Sequence, residues 1–229
     1  MAVCTGHGNQ IAMRLKIIAA FAAVALGACA SGPKPVDWQL SSKSALERAQ
    51  AAYLEGNTRV EIAEMAKAKT EIASTGRIDL MARAELLACA SRVASLVFEP
   101  CAGFEKLRQD APAAEVAYAD YLAGKLQPKD TSLLPKNQQI SALEQVNSAQ
   151  AAITTIADPL ARLVASGVAL QTGSASPGVA QAAVDAASSQ GWKRPLLAWL
   201  GVQLRLAESS GDTLEAARLQ RRIALVSKP

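Results

Sequence analysis

"GNTRVEIAEMAKA" (56–68) and "GDTLEAARLQRRIA" (211–224) carry the same short plan near opposite ends of the chain. In each, a glycine closes one segment, Asn57 or Asp212 follows, a threonine opens the next segment, and alanines recur along it. Glycine suits the residue just past a helix end, because it takes the left-handed backbone at little cost. Asn and Asp suit the start of the next helix, where a side-chain oxygen accepts from a free backbone N–H. The plan therefore reads as helix, tight turn, helix. The segments that lead into it, "ALERAQAAYLEG" (45–56) and "GVQLRLAESSG" (201–211), are rich in good helix formers.

The same punctuation runs through the rest of the chain. "SALE" at 44–47 and at 141–144, "TRVE" at 58–61 and "DTLE" at 212–215 have the capping-box spacing. Pro112, Pro159, Pro177 and Pro195 stand where a first helical turn can begin, and Gly56, Gly76, Gly124, Gly191 and Gly211 where helices can end. Aromatic residues are only 4% of the chain, and strand-type alternation is nearly absent. These signals predict an all-α protein with helices near 37–55, 58–74, 79–97, 102–109, 112–123, 140–156, 159–171, 177–189, 194–209 and 213–226. "TGSASPG" (172–178) reads as a loop. A proline-bearing connector at about 125–139 divides an N-terminal lobe (37–124) from a C-terminal lobe (140–229).

The helix–Gly–Asn/Asp–helix plan resembles the tetratricopeptide hairpin, in which small residues let paired helices approach closely. That resemblance implies antiparallel hairpins stacked as a solenoid. The Trp-Leu-Gly-Tyr part of the repeat pattern and a steady 34-residue period are both missing, which leaves an irregular helical bundle as the alternative.

Upstream, "MRLK" (13–16) is basic, "IIAAFAAVAL" (17–26) is apolar, and "GAC" (27–29) is small. That order makes a secretory signal peptide over residues 1–28. Its ten apolar residues fall short of the roughly 20 that span a bilayer. "MAVCTGHGNQIA" (1–12) fits no part of a signal, and translation from Met13 would remove it. Leu26-Gly27-Ala28-Cys29 resembles the lipobox of bacterial lipoproteins. The resemblance implies that Cys29 receives a diacylglycerol, becomes residue one and is then N-acylated, so that residues 29–36 form a lipidated tether. Two or three chains anchor stably where one does so only marginally. Ala30 stands where an Asp would signal inner-membrane retention, which implies sorting to the outer membrane, on its periplasmic face. The mature part also looks similar to proteobacterial envelope lipoproteins that begin Cys-Ala-Ser with Asp-Trp-Gln (37–39) nearby. Tetratricopeptide-like lipoproteins of this plan include β-barrel assembly factors and secretin pilotins.

Removing the leader takes Arg14 and Lys16 with it and leaves 22 of the 24 basic residues against 20 acidic ones. A near-neutral chain lacks the concentrated positive charge that nucleic acid requires. The single histidine, His7, also lies in the leader. The mature chain thus has no Ser-His-Asp or Cys-His machinery and no histidine-bound zinc site. No cofactor or metal is expected. Cys89 and Cys101 remain as the two unlipidated thiols, and they form either a disulfide or a pair of buried free thiols.

Candidate surface residues are few. Trp199 is either core or the anchor of a partner groove. Arg218, Arg221 and Arg222 share a helical face that is either solvated or a contact for an acidic partner or anionic lipid. Tyr118 with Tyr121 reads as packing, and Glu61, Glu64, Glu115 and Asp120 read as solvated helix faces. The function expected from this is a non-enzymatic scaffold or adaptor for an envelope protein, held at the membrane through Cys29. Two alternatives carry their own marks. A cell-wall glycan enzyme would show a carboxylate pair in a cleft, and a lipid or hydrophobe carrier would show an apolar cavity between the lobes.

Overall fold

A computed structural model describes residues 36–143 and 149–228. The signal peptide, the tether up to Pro35 with Cys29, and Glu144 of the second "SALE" lie outside those residues. Among the described residues the protein is all-α. The helices are α1 (Asp37–Glu55), α2 (Thr58–Ala73), α3 (Ile78–Ala94), α4 (Ala102–Glu105), α5 (Ala113–Leu122), α6 (Lys136–Leu143), α7 (Ala149–Thr155), α8 (Pro159–Gln171), α9 (Pro177–Gln190), α10 (Lys193–Ser210) and α11 (Thr213–Val226). A 3-10 turn over Pro128–Leu133 occupies the connector. No described helix is long and apolar enough to cross a membrane.

The turns that opened the reading form as the sequence implies. Asn57 Oδ1 accepts from Val60 N at 3.2 Å and Asp212 Oδ1 from Glu215 N at 3.0 Å. Gly211 closes α10 at φ 73°, where a side chain would be strained, and Asp212 N then bonds back to Ala207 O at 2.9 Å. The capping-box reading fails at both "SALE" stretches. Ser44 lies well inside α1, and Ser141 lies inside α6, donating to Gln138 O at 3.0 Å. Helix α6 begins at Lys136, four residues before the expected start, because Pro135 sets the first turn and its carbonyl accepts from Gln138 N and Gln139 N.

Consecutive helices pair as hairpins, α1 with α2 and then α8, α9, α10 and α11 in series. Two further contacts bring the halves together: α3 lies along α8, and α10 touches α1. The expected lobes therefore share one core, and Asp37–Pro229 is a single compact unit. Helix α8 is the centre of it. Leu163, Val164, Ala165, Ser166, Gly167, Val168 and Ala169 are all buried, so its two faces are both covered. Tyr53 ties the N-terminal hairpin to the rest, because the guanidinium groups of Arg92 and Arg194 lie 5.1 Å and 4.1 Å from its ring centre.

Cys89 and Cys101 lie at disulfide distance, with Cα atoms 5.9 Å apart. The chain doubles back sooner than expected, since α3 stops at Ala94 and Leu96 takes a left-handed φ of 61°. Leu96 N and Val97 N then bond to Val93 O and Arg92 O. A leucine in this conformation costs about 1–2 kcal/mol. A crosslink between them would close a short loop and contribute about 3 kcal/mol in the chain-entropy account, more than the leucine costs.

Candidate interlobe cavity

The residues singled out in the sequence fall in three separate places. Trp199 is fully buried, and its Nε1 donates to Ala94 O at 3.0 Å. Of the two readings, core and groove anchor, this burial corrects the second, because Trp199 has no exposed surface to offer a partner. The arginine face lies on α11. There Arg218 donates through Nε and Nη2 to the two carboxylate oxygens of Glu215, each at 2.6 Å, and holds that carboxyl below its ordinary range. Arg221 is exposed and Arg222 half-buried. The cysteine pair sits toward the end of α3, packed against the core that contains Trp199.

The structure adds a site whose lining residues the sequence reading did not bring together. A cavity of about 490 Å³ opens between α3, α5 and α8, with the connector as its fourth wall. Leu86, Leu87 and Ala90 come from α3, Tyr118 from α5, Leu133 and Leu134 from the connector, and Leu160 and Val164 from α8. The volume and the apolar lining are those of a small-molecule site. Each wall exists for a local reason. α3 and α8 approach closely, and α5 is tied through α6 to α8 by the buried chain Tyr121 Oη–Gln138 Oε1 (2.7 Å) and Gln138 Nε2–Ala161 O (2.9 Å). Burial pushes the Tyr121 phenol up to about 12 and raises that of Tyr118 as well, so both stay protonated at neutral pH.

Three charged side chains line the cavity: Arg83, Glu115 and Asp158. Arg83 Nε donates to Glu115 Oε1 at 2.6 Å. Arg83 is 62% exposed in its side chain, and Glu115 is 7% exposed. Glu115 Oε2 is buried with no hydrogen-bond partner. Asp158 caps α8, accepting from Ala161 N at 2.6 Å. Glu61 is buried in the same manner on the other side of α3, against Arg92 Nη2 at 3.0 Å. The reading of Glu61 and Glu115 as solvated is therefore wrong for both. Beyond Arg83 and Leu87 lies a second apolar cavity of about 390 Å³, lined by Trp38, Leu46 and Leu80. Trp38 is half-buried there.

No protein-family model, curated protein or solved structure matches the chain.

Proposed function

We propose that the protein is an outer-membrane lipoprotein, anchored through Cys29 on the periplasmic side, whose helical domain binds an apolar small molecule without catalysis. The observation that carries the binding half is the 490 Å³ cavity built from both halves of the chain. This is the mark set above for a hydrophobe carrier, and burial of Trp199 removes the anchor that favoured a protein scaffold. The exposed Arg221, with Leu214 (85% exposed) and Leu225 (68%) on the same face of α11, supports the scaffold as a second reading. An oxidised Cys89–Cys101 pair fits an envelope address.

Two measurements test this. Radiolabelled palmitate should enter the wild-type protein in cells and not Cys29→Ser, and equal labelling would refute the anchor. The soluble chain from residue 30, which keeps the whole compact unit, should bind the apolar dye N-phenylnaphthylamine at one site. Ala114 is exposed where it lines the cavity. Ala114→Trp should therefore weaken dye binding by about tenfold or more, which is a loss of roughly 1.4 kcal/mol. A dye affinity indifferent to that change would dismiss the cavity as the site.

A further inference from the structure

Lys193 and Arg194, consecutive residues at the start of α10, join two distant parts of the chain. Lys193 Nζ donates to Lys228 O at 3.3 Å, just past the end of α11. Arg194 Nη2 donates to Thr58 Oγ1 at 2.9 Å, at the start of α2 and 136 residues away in sequence. The three helix ends so joined carry Arg59, Lys193, Arg194, Arg221 and Lys228. All but Arg194 are exposed, and none of the five makes an ion pair among the described residues. Arg222 is half-buried and acts with Arg218 on Glu215. Glu61, near Arg59 on α2, is buried and held by Arg92, which leaves Glu55 at the end of α1 as the nearby exposed acid. Among these cations stand two of the most exposed aliphatic side chains. Ile62 is 64% exposed, one turn along α2 from Thr58, and Leu225 is 68% exposed, one turn before Lys228. The mature chain is nearly balanced, with 22 basic residues against 20 acidic, so the positive charge here is a local concentration.

We infer that this end of the domain rests on an anionic membrane surface, its cations over lipid phosphates and Ile62 and Leu225 at the acyl boundary. Cations interleaved with bare aliphatic groups are the composition of segments that lie in the lipid interface. Lys and Arg carry their charge on long apolar stems, so the two kinds of group can occupy adjoining depths. A protein interface is instead enriched in aromatic residues and poor in lysine. Here two of the five cations are lysine, and Tyr53, the ring beneath Arg194, is buried. A single-stranded nucleic acid would likewise need an exposed ring on which to stack its bases. Each cation close to an anionic surface multiplies binding about fivefold. The aliphatic groups add a part that salt does not screen. An anchor at Cys29 would hold the domain near such a surface, but the contact does not depend on it.

The chain from residue 30 lacks Cys29, so any membrane binding it shows comes from its own surface. It should float with vesicles of phosphatidylglycerol and phosphatidylcholine and not with phosphatidylcholine alone, and about 0.5 M NaCl should release most of it. Lys193→Gln combined with Lys228→Gln should weaken binding by about tenfold or more. Both lysines are exposed, so the melting temperature should stay nearly unchanged. Lys129→Gln combined with Lys136→Gln removes the same charge from the exposed connector and should change binding by less than about twofold. Leu225→Ser should weaken it by about fivefold and leave its salt dependence as it was. Equal binding to both vesicle types, binding to neither, or equal losses from the two lysine pairs would overturn the lipid surface. So would tighter binding to polyglutamate than to the vesicles, lost with Lys193 and Lys228, which would give this face to an acidic protein. Palmitate labelling and the dye titration are separate measurements, so failure here leaves the anchor and the cavity standing.

Discussion

Trp199→Ala should destabilise the protein by about 3–5 kcal/mol, the range for truncating a large buried aromatic. Against a total stability of about 5–15 kcal/mol, that leaves the folded state marginal. The side chain is fully buried among residues of both halves of the chain, and its indole makes a polar link from α10 to the end of α3. The alanine variant opens a cavity there. It also leaves the Ala94 carbonyl without its indole donor, at a residue that is itself completely buried. Trp199→Phe separates the two effects. It keeps most of the apolar volume and removes the donor, so it should cost about 1–3 kcal/mol. Urea unfolding followed by circular dichroism measures both. If Trp199 were a surface anchor for a partner, neither change would move the midpoint, and an unmoved midpoint for Trp199→Ala would defeat the structural role assigned to it.

What the sequence shows and what it hides divide along the range of the interactions. Asn57, Asp212, Gly191 and Gly211 do what their types imply, because a cap or a left-handed turn is satisfied within five residues. Ser44 and Ser141 mislead for a related reason. Ser-x-x-Glu is equally at home inside a helix, and the helix start is decided by residues further back, Asp37 in one case and Pro135 in the other. Glu61 and Glu115 show the opposite failure. Nothing near either glutamate marks it as buried, since the arginines that hold them, Arg92 and Arg83, are 31 and 32 residues away on α3. The cavity is less legible still. Its lining draws on four stretches, and the leucines that face it cannot be told by type from those that fill the core. The scarcity of aromatics was the usable clue to Trp199, because a large ring in an alanine-rich core has few rivals for its central place. Cys29 is read from local text alone, and it lies outside the described residues.

Two substitutions of the same chemistry, Gly167→Ala and Gly201→Ala, should move stability in opposite directions. Both glycines lie inside helices, where replacement by alanine is worth up to about 1 kcal/mol through lost backbone freedom in the unfolded chain. At Gly201 in α10 the new methyl meets only Arg205 Nη1, 3.8 Å away at the end of a flexible side chain. The intrinsic gain should survive there, about 0.5–1 kcal/mol. At Gly167 in α8 the methyl would overlap the carbonyl oxygen of Val93, with Val93 Cγ1 at 3.0 Å and its carbonyl carbon at 3.1 Å. Backbone does not rotate aside, so α3 has to move as a body. Overpacking of this kind costs about 1–3 kcal/mol or more, which exceeds the propensity gain. Gly167→Leu, with a longer side chain at the same contact, should cost well over 3 kcal/mol and approach loss of folding at 37 °C. α3 and α8 also supply Leu86, Ala90, Leu160 and Val164 to the cavity wall. Prising them apart changes the shape of the cavity as well as the core, so Gly167→Ala should weaken dye binding even at temperatures where the variant remains folded. Gly201→Ala should leave dye binding unchanged. Thermal melts paired with dye titrations read both consequences, and a Gly167→Ala variant that is more stable than wild type would show that α3 and α8 do not touch as closely as the structure places them.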